Sequence, residues 1–378
     1  MMKQRFTHIL LAFAAGLVLA SCNIYNDPDG AGCSVAGPDG MSVNFSISAG
    51  NPAYYGTKAS SYGAPSLENG TEWENYVNIS SGDYLFYLFD GEGIFREILM
   101  VRDISTKDKI TYTVTADVKE KYNDFTIVAL ANWGTYAWDM LSDGFSYPVL
   151  DKGVSKIEEI WESTAGLRVY DTDKGKFIPS ETSHIPMYGA RTYRLSESSF
   201  NTEEISLGTF YLIRSLAKID VYTSESSGVT INAAQLNRYS NCFHCAPTGM
   251  TAMDDEWDQA TDGTMNMNLA QESFSPSSLD FIKIEDNLYR IYVPEYPNRR
   301  KDIEASTITV SMSKNGSHKG GSISFEGLET TSSTEKTTLN ILRNNYYKFN
   351  ITGITEYETN LVIDVVPFDN VENDLVFE

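Results

Sequence analysis

From Met41 onward the chain alternates apolar and polar residues in steps of two. Met41-Ser42-Val43-Asn44-Phe45-Ser46-Ile47 puts four apolar side chains on one face of an extended segment. Residues 48–72 are loop-like, rich in Ser, Gly and Tyr. Tyr84-Leu85-Phe86-Tyr87-Leu88-Phe89 and Ile94-Phe95-Arg96-Glu97-Ile98-Leu99-Met100 flank Asp90-Gly91-Glu92-Gly93, and so predict a β-hairpin. Thr111–Asp117 and Phe125–Asn132 predict two further strands, and Ile157–Trp161 a helical turn. A strand pair is expected around Ile185-Pro186-Met187-Tyr188-Gly189. The run Ile205–Tyr222 is apolar and β-rich for longer than one ordinary strand, so a domain boundary is placed in it, at 208/209.

The second half repeats the style, with strands expected at Ile282–Ile284, Tyr289–Val293, Thr307–Met312, Tyr346–Ile354 and Leu361–Val366. The polar stretch 248–278 reads as a long surface loop and Gly320-Gly321 as a turn. No stretch longer than about ten residues repeats at helical spacing. The expected fold is therefore all-β, two tandem β-sandwich domains spanning 41–208 and 209–378.

Ahead of them, Ile9–Ala20 is apolar but shorter than the about 20 residues a membrane-crossing helix needs. Lys3 and Arg5 precede it and small residues close it, the layout of a secretory signal over residues 1–21. Residues 22–40 read as a tether, with turns at Asp27-Pro28-Asp29-Gly30 and Gly37-Pro38-Asp39-Gly40. Leu19-Ala20-Ser21-Cys22 resembles the lipobox of bacterial lipoproteins. That resemblance implies cleavage before Cys22 and acyl chains on Cys22, which would hold the chain on a membrane, each buried methylene contributing about 0.8 kcal/mol.

Charge and composition narrow the partners. The net charge of −22 becomes −24 once residues 1–21 are removed, which argues against nucleic acid or anionic lipid headgroups. Beyond Cys22 the cysteines are Cys33, Cys242 and Cys245, and three thiols cannot all pair, so no disulfide framework is implied. Asn241-Cys242-Phe243-His244-Cys245 contains C-x-x-C without the βαβ setting of a redox motif, and no second cluster completes a zinc site. The remaining histidines, His184, His244 and His318, belong to no nucleophilic constellation, and no phosphate-binding Gly-rich loop occurs. Neither an enzyme nor a cofactor is expected.

Several strings, in order, resemble the fimbrillin-type surface lipoproteins of Bacteroidales. They are the lipobox at Cys22, the Tyr84–Arg96 hairpin, Ile185-Pro186-Met187-Tyr188-Gly189, and Leu212-Ile213-Arg214-Ser215-Leu216-Ala217-Lys218-Ile219. Tyr292-Val293-Pro294-Glu295 and Arg343-Asn344-Asn345-Tyr346-Tyr347-Lys348-Phe349-Asn350-Ile351 complete the series. The resemblance implies two transthyretin-like β-sandwich domains, outer-membrane attachment through the lipid on Cys22, and assembly with fimbrial stalk subunits by strand addition. Stalk pilins of the family are cut after an arginine beyond the lipidated cysteine. This chain has no arginine between Cys22 and Arg96, and its only basic residue there is Lys58. That absence points to the FimB/Mfa-like anchor subunits, which keep their lipid and hold a fimbria to the cell. A cut near Lys58 would instead make the chain a polymerising stalk or tip subunit.

The C-terminal segment reads first as a final strand with a frayed end. Its other reading makes Leu361, Ile363, Val365, Leu375 and Phe377 a contact for the first stalk subunit. A rival from another class is a surface glycan-binding lipoprotein, with Trp133, Trp138 and Trp161 as stacking platforms; tryptophans in such chains are more often core residues.

Overall fold

The computed structural model describes residues 40–49, 72–134, 147–161, 167–169, 177–223, 225–246, 269–328, 336–354 and 359–367. In chain order the first half contributes β1 (Met41–Ser48), β2 (Tyr84–Asp90), β3 (Phe95–Ile98), β4 (Met100–Thr106), β5 (Thr111–Val118) and β6 (Asp124–Ala131). A single helical turn, α1 (Glu158–Trp161), comes next, where the sequence predicts one. It is followed by β7 (Leu167–Val169), β8 (Met187–Arg194), β9 (Ile205–Tyr211) and β10 (Ile213–Arg214). These strands form a four-stranded sheet, β4-β5-β1-β9, and a five-stranded sheet, β10-β8-β6-β2-β3.

The two sheets face each other over a core that includes Val43, Phe45, Ile47, Val114, Phe86, Leu88, Ile127 and Met187. Phe45 and Phe86 meet edge to face across it, with centroids 5.2 Å apart. The five-stranded sheet is buried on both faces. Phe86 and Leu88 point into this sandwich, whereas Tyr87, Phe89, Val128 and Leu130 point into a second cluster shared with the other half of the chain. Double burial explains why Tyr84–Phe89 lacks polar alternation.

The second half contributes β11 (Ala217–Tyr222), β12 (Thr230–Ser240), β13 (Cys242–His244), β14 (Phe274–Asp280), β15 (Ile282–Glu285), β16 (Leu288–Val293), β17 (Thr307–Lys314) and β18 (Ser317–Ser324). β19 (Glu326–Leu328), β20 (Lys336–Thr338), β21 (Asn345–Ile354) and β22 (Thr359–Pro367) complete it. Its sheets are β15-β16-β11-β21-β22 and β14-β12-β17-β18. They enclose Ile219, Val221, Leu236, Ile308, Val310, Met312 and Phe349.

Several expectations are corrected. Ile185-Gly189 is not flanked by a strand pair: Met187 opens the single strand β8, which pairs with β6 along its whole length. The last part of 248–278 is strand β14, an edge strand whose exposed Ser and Asp residues give it a loop's composition; residues 247–268 lie outside the described residues. Gly320-Gly321 is no turn. The turn is Asn315-Gly316, with φ of 51° and 78°, and both later glycines sit inside β18 opposite Ser311 and Val310. β12 escapes a period-two reading because two register breaks interrupt it, one beside Arg238 at φ 62°. The long run Ile205–Tyr222 is three strands in three different sheets. β9, which spans residues 208 and 209, bonds to β1, and β10 bonds to β8, so the first pair of sheets takes chain up to Arg214 and the second begins at Ala217.

Candidate assembly site

β1 is the first strand among the described residues and is an inner strand of its sheet. It pairs antiparallel with β5 over all eight residues, Met41 to Ser48, and parallel with β9 on its other side. Met41, Val43, Phe45 and Ile47 are buried, as their alternation predicts. On the opposite face Asn44 donates to Thr115 Oγ1 at 3.2 Å and Arg102 bonds Ser42. The parallel pairing with β9 shifts register between Asn44 and Phe45, where Gly208 takes φ +73°. A side chain there would be strained, which is one reason for glycine at that bulge.

The far end of β1 is clamped by backbone and by one buried cation. Leu212 N donates to Ser48 O at 2.8 Å and Ala49 N to Ile110 O at 3.0 Å. Arg214, buried completely, spreads its guanidinium over three parts of the chain. Nη2 donates to Ala49 O at 3.1 Å and to Asn75 Oδ1, Nε to Glu74 O at 2.8 Å, and Nη1 to Asn344 Oδ1 at 2.9 Å. Asn344 sits at φ 57° and donates its own N–H to Leu216 O at 2.9 Å. One side chain thus ties the end of β1, the turn 72–75 and the second pair of sheets together.

Beside it, the Glu74 carboxylate accepts from Lys218 Nζ at 3.0 Å and from the Tyr292 hydroxyl. Burial alone pushes this carboxyl up, but Lys218 and Tyr292 outweigh burial and hold it below its ordinary value. Tyr292 moves well above its ordinary value, through burial first and then the Glu74 charge. Asp220 takes a bidentate contact from Arg290, both bonds 2.7 Å, and a third bond of 2.6 Å from the Tyr346 hydroxyl.

A second joint holds the halves further along. β13 pairs with β7, so Cys242–His244 of the second half lies against Leu167–Val169 of the first. Trp133 packs on Phe243 at 5.9 Å. Buried Arg343 donates to Glu295 Oε2 and His244 O, both at 2.9 Å, and to Cys245 O at 3.2 Å. Cys242 is a buried free thiol whose pKa burial raises, so the C-x-x-C is not closed by a bond. Among the described residues no group of three or more His, Cys, Asp or Glu is placed to hold a metal ion.

The other expected contact lies at the opposite end of the chain. β22 is the edge strand of its sheet and pairs Leu361 with Ile351, Ile363 with Phe349 and Val365 with Tyr347. Leu375, Phe377 and Cys22 lie outside the described residues, as does Trp138. Trp133 and Trp161 are buried, and their indole N–H groups donate to Met187 O at 2.8 Å and to the Tyr188 hydroxyl at 3.0 Å. Sequence reasoning missed Arg214 and Glu74 as a joint. An arginine inside an apolar run was the available signal, and its partner, 140 positions away in sequence, was not legible.

No protein-family model matches the chain, and no curated protein sequence does. Solved structures match at low identity. A candidate cell adhesion protein from Parabacteroides distasonis is 16% identical, with a TM-score of 0.50 over 89% of this chain and 98% of that one. The tip fimbrial protein Mfa3 of Porphyromonas gingivalis, C-terminally truncated, is 13% identical, with a TM-score of 0.49 over 86% and 99%. The chain shares the fold of the Parabacteroides protein along nearly its whole length.

Proposed function

We propose that the chain is a lipid-anchored cell-surface fimbrial subunit, the anchor or accessory protein that attaches a strand-exchange-assembled fimbria to the outer membrane. The observation that carries this reading is the seat of β1. The first strand among the described residues is an inner strand of its sheet, and no arginine lies between Cys22 and Arg96 at which a maturing protease of the usual kind would release it. Arg96 itself lies in β3, so a cut there would divide the first sandwich. The fold shared with a candidate cell adhesion protein supports the reading.

In this reading residues 1–21 are a signal peptide, Cys22 carries the lipid and residues 22–40 are the tether. The two sandwiches are of transthyretin-like type, and we place their division between Arg214 and Ala217, where sheet membership changes. Stalk subunits meet the C-terminal edge through Leu361, Ile363, Val365, Leu375 and Phe377. The glycan-binding alternative is weakened, since Trp133 and Trp161 are core residues.

Deletion of the protein tests the assignment: the stalk should be shed into the medium while polymer still forms. If the polymer disappears instead, the chain is a stalk subunit. If fimbriae stay attached and intact, the anchor reading fails.

A further inference from the structure

The two ends of β1 have different surroundings. Past Ser48, Ala49 is clamped through Arg214 to the second pair of sheets. Met41 lies about 25 Å away along the strand. It pairs with Val118, the last residue of β5, so the connection 119–123 sits beside the point where the chain from Cys22 enters. Lys152 reaches Glu120 at 3.7 Å, which brings a second turn to the same end. In that turn Asp151 O accepts from Val154 N at 3.1 Å and from Ser155 N at 2.9 Å. Met100, opposite Asp117, lies at this end too.

Two properties set this end apart. Val149 and Val154, on either side of the turn, are 70% and 71% exposed, the highest values for large apolar side chains among the described residues. With Met100 they make three of the four such side chains that are exposed. A single exposed apolar residue needs no explanation, but three at one end do. The second property is charge. Segments 119–121 and 152–156 carry Lys119, Lys121, Lys152 and Lys156 against one acid, Glu120. Neighbouring acids are engaged: Asp90 with Arg96 Nε at 2.7 Å, Asp124 with Arg194 at 3.7 Å, and buried Glu97 with the N–H of Lys119 at 2.9 Å. The net charge of −22 argues against an anionic surface for the chain as a whole, yet it is not spread evenly.

We propose that this end of the first sandwich rests on the phosphate-bearing headgroups of the bilayer that holds Cys22, with Val149 and Val154 at the interface and the lysines around them. The proposal rests on the lipid-anchor reading and adds an orientation to it. The tether alone imposes none, since the chain from Cys22 to Met41 reaches about 65 Å when extended. Charge supplies it. Lysines within a Debye length of an anionic surface are attracted, while the acidic bulk of the chain is repelled, so the molecule turns its basic end to the lipid. The two valines add apolar contact at the same place. The second sandwich, clamped at the far end of β1, is then held away from the membrane.

The test uses the acylated full chain from its native membrane, with Cys33→Ser as background because Cys242 and Cys245 are buried. A nitrobenzoxadiazole label is placed at Val154→Cys and, for comparison, at Ser317→Cys, which is exposed in the second half. On vesicles of phosphatidylethanolamine and phosphatidylglycerol the label at 154 should brighten several-fold and shift to the blue, and the label at 317 should not change. Lys121→Gln and Lys156→Gln should each weaken the contact equilibrium about fivefold, and vesicles of phosphatidylcholine alone should weaken it further. If the chain floats with the vesicles while the label at 154 stays as wet as that at 317, the proposal is overturned and the anchor reading stands. A chain that carries no acyl group and does not float overturns both. A response that neither lysine change reduces also overturns the proposal. So does a response in native membranes that vesicles fail to reproduce, which would assign this end to a protein partner.

Discussion

Arg214 is the residue whose loss should be felt furthest. Arg214→Met keeps most of the apolar stem and removes the guanidinium. Asn75 and Asn344 can turn their amides towards other partners, but Glu74 O and Ala49 O are fixed by the backbone and would be left buried without a donor. Each such group costs about 1–3 kcal/mol, giving about 2–6 kcal/mol gross, from which the relief of a desolvated charge subtracts. The expected net loss is about 2–4 kcal/mol, set by the stranded carbonyls, because the guanidinium bonds neutral oxygens and its removal leaves no buried charge behind. With a urea slope of about 3 kcal/mol per molar, the unfolding midpoint should fall by roughly 1 M. Arg214→Lys should rescue little, because a single ammonium cannot reach acceptors on three segments. Hydrogen exchange gives the discriminating readout: amides at Ala49 and at Asn344 should both exchange faster, one in each half of the molecule. A loss below about 1 kcal/mol, or faster exchange on one side alone, refutes the claim that this guanidinium joins β1 to the second sandwich.

Other expectations are simpler. Phe45→Ala removes a buried ring from β1 and should cost about 3–5 kcal/mol by denaturant unfolding; a smaller loss would mean that β1 is not seated as described. Burial, reinforced by the charge of Arg343, pulls the His244 imidazole down to about 4. Its unfolded value is about 6.5, so between these values the unfolded chain binds a proton the folded chain refuses. Stability should be complete above about pH 6.5 and fall by on the order of 3 kcal/mol as pH drops towards 4. His244→Gln should flatten that slope, and an unchanged slope would remove His244 as its source. Burial raises the Cys242 thiol, so alkylation should be slow in the native chain and fast once urea unfolds it; equal rates would refute burial.

The strands that sequence reasoning finds are those with buried, alternating or doubly apolar faces. β1, β2, β5, β6, β16 and β17 are legible because one local pattern serves both strand formation and core packing. The strands it misses are exposed or irregular. β14 and β18 are edge strands whose Ser, Gly and Asp content satisfies water rather than a core, and β12 loses its period at two bulges. The Ile205–Tyr222 run misleads in the opposite direction. Most of it is apolar or small, yet it changes sheet twice, because hydrophobicity records burial and not which sheet provides it. The joint at Arg214 depends on Asn344 and Glu74, and contacts at that separation leave no mark on local composition.

The geometry of β1 also limits what could replace it. Met41, Val43, Phe45 and Ile47 are buried, and at about 1.5–3 kcal/mol each they contribute about 6–12 kcal/mol gross, an upper bound because the unfolded chain is itself partly collapsed. That is the same order as the whole net stability of a typical domain, about 5–15 kcal/mol. A chain cut near Lys58 would therefore keep β1 in place until another strand displaced it. The displacing strand would need apolar residues at four alternate positions, and a carbonyl where Ala49 offers one to Arg214. A strand lacking that carbonyl would leave the joint to the second sandwich short of one acceptor. Exchange at β1 and the fit between the two halves are consequently linked. The first measurement that bears on both is the intact mass of the chain from its native membrane. An acylated Cys22 as the sole N-terminus leaves β1 permanently seated, whereas a second N-terminus between about residues 40 and 70 would mean that the lipid is shed, and would end the anchor reading.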